Sequence, residues 1–94
     1  MPTTSIWLNP EMTMYMIRFM GHWTTSEMKD TLQHTHSIVK GKEQKIALLL
    51  DFSESESIPD GVLQLPRRIS HSLPENLVCV TFFGSSLYLQ LILE

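Results

Sequence analysis

The chain has a single cysteine, Cys79, among 94 residues. One cysteine makes no internal disulfide, which excludes a cross-linked secreted mini-domain. Glycine is sparse too, confined to Gly21, Gly41, Gly61 and Gly84. These form neither G-x-G-x-x-G nor G-x-x-x-x-G-K-[ST], so the sequence offers no phosphate-cradling loop. Gly84-Ser85-Ser86-Leu87 lacks the second glycine of a nucleophile elbow.

Positive charge is thin. Seven Lys and Arg face ten Asp and Glu, for a net charge of −3, and the longest basic run is Arg67-Arg68. A face that tracks phosphates needs clustered cations, so nucleic acid is excluded as a partner. Long apolar runs are also missing. The richest stretch, Leu87 to Leu93, is broken by Gln90 and falls short of the ~20 residues of a membrane-spanning helix. Met1-Pro2-Thr3-Thr4 has neither the basic nor the apolar region of a signal peptide. Together these absences predict a cytoplasmic protein with no membrane span.

What is present is an ordinary globular composition, 43% hydrophobic, in a length that holds one domain, residues 1–94. Thr4 to Leu8 reads as a short strand, and Asn9-Pro10-Glu11 as a turn. From Met12 to Met20 the chain alternates. Tyr15, Ile17 and Phe19 share one face, and Met14, Met16, Arg18 and Met20 the other. The two strands make a hairpin.

Thr24-Thr25-Ser26-Glu27 is a capping box, with Thr24 as N-cap, Glu27 at N3 and a Trp23–Met28 staple across the helix start. Met28, Leu32, Thr35 and Val39 follow at helical spacing, and Gly41 is the expected stop. Ile46 to Phe52 is a nearly continuous apolar run, the pattern of a strand buried on both faces. Strand, helix and strand in that order predict a β-α-β unit. Pro59 suits the first turn of a second helix, which Pro66 would kink. Leu77 to Phe83 is a further strand. Ser85 to Glu94 fits either an alternating strand or a capped Leu-rich helix; helix propensity favours the helix.

Chemistry-bearing residues are few. His34 and His36 sit two apart, on opposite sides of a helix at ~100° per residue, and no Cys or carboxylate completes a ligand set, so no metal or cofactor is expected. Asp51 and Asp60 flank the carboxyl end of the buried strand, where α/β sheets bind ligands. Their plainer roles are capping the loop backbone and favouring a helix N-terminus. Ser53, Ser55 and Ser57 alternate with Glu54 and Glu56 in a polar loop. Phosphorylation there is tolerated electrostatically; the plain reading is a solvated acidic loop. Cys79 reads as an inert core thiol. The methionines of the first hairpin make an adaptable binding stripe if their face is left uncovered, and core otherwise. No base and nucleophile pair is recognisable, so no enzyme activity is expected.

Two segments carry a family resemblance. Arg18-Phe19-Met20-Gly21-His22-Trp23-Thr24-Thr25-Ser26-Glu27 precedes the first helix. Leu48-Leu49-Leu50-Asp51-Phe52-Ser53 then leads to Ile58-Pro59 and an apolar helix. With the order of elements, they resemble the STAS domain, in particular its divergent SpoIIAA-like bacterial group, related to the anti-sigma-factor antagonists. The resemblance implies a mixed four-stranded α/β sheet with helices largely on one face. It also implies a non-catalytic regulatory module that binds a protein partner, here through Asp51, Ser53, Ser57, Asp60 and Gly61. Asp51-Phe52-Ser53 matches the family's Asp-Leu-Ser. The family's phosphorylated Ser-Ser-Gly does not carry over, because Pro59, Asp60 and Gly61 stand there. Such domains usually continue beyond the point where this chain stops, so a short C-terminus and self-association as a homo-oligomer are expected. The alternative is a small-ligand or lipid-binding domain, with an apolar pocket near the Met strand and the last helix.

Overall fold

The computed structural model of the chain describes residues 3–57, 73–84 and 88–92. Among them are five strands and one helix: β1 (Thr3–Trp7), β2 (Met14–Gly21), α1 (Thr25–Lys40), β3 (Ile46–Ser55), β4 (Leu77–Phe83) and β5 (Tyr88–Ile92). The strands form one mixed sheet in the order β1-β2-β3-β4-β5. β2, β3 and β4 run parallel, and β1 and β5 pair antiparallel at the two edges.

The first hairpin closes through Asn9. Its backbone carbonyl accepts from Met12 N at 3.1 Å, and its side-chain oxygen accepts from Thr13 N at 3.0 Å and Met14 N at 3.2 Å. Met12 pays for this tight return with φ of +57°, a left-handed conformation that favours glycine. Gln44 Nε2 donates to the Glu11 and Met12 carbonyls at 3.3 and 3.2 Å, tying the turn to the segment before β3.

The capping box forms as the sequence predicts. Thr24 Oγ1 accepts from Glu27 N at 3.1 Å, and Glu27 Oε1 accepts from Thr24 N at 3.0 Å. Met28, Leu32, Thr35 and Val39 are the buried stripe of α1, and Thr35 satisfies its hydroxyl by donating to the Thr31 carbonyl at 2.9 Å. The helix end is held differently from expectation. Gly41 takes φ of −84° and uses none of its special freedom. Instead the Asn76 side-chain amide, arriving from just before β4, lies 2.9 Å from Val39 O, 3.1 Å from Lys42 O and 3.3 Å from Gln44 O. It adds a donor to the Val39 carbonyl, which also accepts from Lys42 N at 3.0 Å, and reaches two carbonyls of the segment after the helix.

The core lies between α1 and one face of the sheet. Tyr15, Ile17 and Phe19 of β2, Leu48, Leu50 and Phe52 of β3, and Val80 and Phe82 of β4 pack there with Trp23, Met28, Leu32 and Val39. Phe19, Trp23 and Phe52 stack with centroids 4.6 to 5.5 Å apart, and Phe82 continues the series 6.1 Å from Phe52.

The α/β class and the mixed sheet agree with the sequence reading, and three local expectations change. Residues 88–92 extend the sheet as β5, where a helix was expected. Their alternation lets them pair with β4, and tertiary pairing overrides the helix propensity of leucine. β3 is not buried on both faces. Its residues alternate from Ile46 to Leu50, with Ala47 and Leu49 only half-buried, because no described element covers their side. Cys79 is likewise half-buried and lies outside the helix-side core. The second helix expected after Pro59 falls outside the described residues.

Candidate functional site

The sheet register assembles a second face from the residues that point away from α1. Strand pairing sets them in cross-strand rows. One row carries Thr4, Arg18, Asp51 and Phe83 across β1 to β4. The next carries Ile6, Met16, Leu49, Thr81 and Gln90 across all five strands. The third carries Met14, Ala47, Cys79 and Ile92 across β2 to β5. Most of these side chains are apolar. No described helix or strand packs on them. Ile6 is 57% exposed, Met14 39% and Ile92 62%; Met16, Leu49, Thr81 and Phe83 are half-buried. Three of the four most exposed large hydrophobic residues among those described therefore lie on this one face. Contiguous apolar exposure of this kind marks an interaction surface more often than scattered single residues do.

An ion pair sits at the head of the face. Arg18 Nε donates to Asp51 Oδ2 at 3.1 Å. Asp51 Oδ1 accepts from Ser53 N at 2.9 Å. The carboxylate is thus engaged on both oxygens and only 4% exposed as a residue. Burial pushes the Asp51 carboxyl up, but the hydrogen bonds from Ser53 and from Arg18, with the guanidinium charge, outweigh it and hold the group below its usual value of 3.8. The plain role expected for Asp51, capping the backbone that follows it, is the one it performs. Its second role, anchoring Arg18, is legible only once β2 and β3 are in register. A clue was there: Arg18 is the lone charge in an otherwise Met-lined strand face.

Of the other predicted site residues that are described, Ser53 hydrogen-bonds Asp51 and Ser57 is engaged elsewhere. Ser53 is exposed two residues beyond Asp51, at the margin of the face, and Ser57 is exposed in the loop after β3. Ser57 offers its carbonyl to the Ser55 hydroxyl at 2.7 Å, and that hydroxyl accepts the Trp23 indole N–H at 2.7 Å. Ser55 is therefore committed to holding the loop against the core. Asp60 and Gly61 lie outside the described residues. His22 and Glu56 form an exposed pair at the same end of the sheet, a contact between two loops that no local motif signals.

Residues 88–92, expected as part of a last helix with an apolar pocket nearby, form β5, with β3 and β4 standing between it and β2. One hollow, about 500 Å³, is a wide cleft at the end of α1 beside His36, Lys40, Lys42 and Glu75. A narrower one, lined by Leu32, Val39, Leu48 and Leu77, holds about 10 Å³. No cluster of three His, Cys, Asp or Glu side chains able to hold a metal occurs among the described residues. No described helix is long and apolar enough to cross a membrane. Comparison with protein-family models, with curated proteins and with solved structures finds no match to this chain.

Proposed function

We propose that this chain is a non-catalytic, regulatory protein-interaction module that works through the uncovered face of its sheet. The observation that carries the reading is the pairing of apolar character and exposure in the rows built on Ile6, Met14, Met16, Leu49 and Ile92. Methionine suits such a role, since its flexible, polarizable side chain adapts to a partner. Arg18, neutralised by Asp51, adds one oriented polar group to the face without leaving a bare charge on it. The resemblance of Arg18–Glu27 and Leu48–Ser53 to STAS domains favours the same class of function. The departure at Pro59, Asp60 and Gly61 removes that family's serine switch from the proposal. Asp51 acts here by fixing Arg18, and Ser53 borders the contact.

Methionine-oxidation footprinting tests the reading. Met14, Met16 and Met20 lie on the face, whereas Met12 lies in the hairpin turn and serves as an internal reference. Relative to Met12, the three face residues react readily in dilute protein and become protected when the protein is placed in native extract or concentrated. Unchanged ratios under both conditions would refute the reading.

A further inference from the structure

Resting on that reading, we propose that the occupant of the face is a second copy of this chain, packed sheet on sheet about a two-fold axis that runs along β3. Three observations point to a copy of itself. The first is size. Five strands spaced by ~4.8 Å and about six residues of ~3.3 Å each give a footprint of roughly 24 by 20 Å. Over two copies this comes to about 1,000 Å², the lower bound for a specific interface. The second is charge. Within the three rows the charged side chains are Arg18 and Asp51, one of each sign, so the face is neutral and meets itself without net repulsion. The third is the placement of the exposed residues at both margins, with Ile6 on edge strand β1 and Ile92 on edge strand β5.

The orientation follows from these positions. A two-fold axis along β3 preserves height along the strands and exchanges β1 with β5 and β2 with β4. Ile6 of each copy then lies over Gln90 of the other, one row from Ile92. Arg18 lies over Phe83 of the other, a cation–π arrangement for a guanidinium already held by Asp51. Leu49 lies near the axis, over its own counterpart. Asp51, also on β3, comes near its counterpart too, but each carboxylate is buried and engaged by its own Arg18 Nε and Ser53 N. An axis across the strands would instead stack the Arg18 row on the Met14 row, setting the guanidinium over methionine and alanine with no aromatic or acceptor in reach. Aligned packing of sheets about 10 Å apart, turned by about 30°, accommodates the first arrangement.

The test uses Leu49, which lies at the centre of the face and meets its own counterpart across the two-fold. Wild-type protein, Leu49→Lys and Leu49→Asp are each measured by sedimentation velocity from low to high micromolar concentration, with circular dichroism to confirm folding. The wild type dimerises, and each variant alone shifts to monomer by at least tenfold in dissociation constant. An equimolar mixture of the two variants regains the dimer, because unlike charges now meet at the axis. A variant that fails to fold is replaced by the conservative pair Met16→Lys and Met16→Glu, each of which weakens the dimer. A monomeric wild type overturns the second-copy proposal. Met14, Met16 and Met20 that become protected in native extract would then keep the interaction reading alive with a different partner. If they do not, both fall. A dimer indifferent to all four substitutions rejects this face as its interface.

Discussion

Arg18 on β2 and Asp51 on β3 stand opposite one another in the sheet register, with Nε 3.1 Å from Oδ2. The pair joins two parallel strands at the head of the exposed face. It is asymmetric: the Arg18 side chain is 41% exposed and that of Asp51 5%. Losing the arginine strands a buried carboxylate, whereas losing the carboxylate frees a cation that reaches water. Arg18→Met therefore costs about 1–2 kcal/mol, toward the low end for a charged hydrogen bond because Arg18 is solvent-screened. Chemical denaturation checks it.

The same pair sets a pH dependence. The folded Asp51 carboxyl titrates below 3.8, so the unfolded chain binds its proton first as pH falls. The stabilisation is fully present above about pH 4, the range of an unfolded aspartate, and is lost as pH drops through the folded value. Melting curves recorded from neutral to acid pH show an Asp51-dependent decline in wild type below that range. In Asp51→Asn this component is missing and the melting temperature is lower at neutral pH.

Ser55→Ala removes the acceptor of the Trp23 indole N–H, at 2.7 Å, and the link onward to the Ser57 carbonyl. Trp23 is 5% exposed, so its N–H is left with a poor substitute. The expected loss is about 1–2 kcal/mol. Trp23 fluorescence shifts as well, whereas Trp7, packed on Tyr15 at the other end of the sheet, reports no change. Trp7→Phe isolates the signal.

Asn76→Ala removes a donor from the Val39 carbonyl, which keeps Lys42 N at 3.0 Å, and from the Lys42 and Gln44 carbonyls after α1, and costs about 1 kcal/mol. Asn76→Asp is worse, since it sets a carboxylate against the Val39, Lys42 and Gln44 oxygens. Hydrogen exchange localises the effect: amides of the last turn of α1 exchange faster, and those near the Thr24 cap do not.

Met12→Gly relieves the left-handed backbone at φ of +57°. A non-glycine residue there costs ~1–2 kcal/mol, part of which glycine returns as chain entropy. A net gain of about 0.5–1 kcal/mol in thermal or chemical unfolding is expected.

Local signals made much of this fold legible. Thr24 and Glu27 announced the helix start, Met28 to Val39 its buried stripe, and Tyr15, Ile17 and Phe19 the core side of β2. What stayed hidden depends on distant partners. Leu48, Leu49 and Leu50 are alike in character, so no pattern says which of them α1 covers. The alternation of residues 87–93 competes with leucine's helix propensity, and only pairing with β4 decides it. Arg18 and Asp51 are 33 residues apart, as are Asn76 and Lys42 by 34, and strand register alone brings them together. For the site, Met14, Met16 and Met20 were visible as a stripe from the start. Whether it faced core or solvent awaited the sheet.

The most direct measurement is NMR of protein labelled with ¹³C at the methionine methyls, followed by dilution and by titration with partner. Met28 is fully buried, Met12 lies in the turn, and Met14, Met16 and Met20 lie on the face. Shifts confined to the last three are the predicted result. If those methyls hold still while Met12 or Met28 moves, the uncovered sheet face is not where this protein meets its partner.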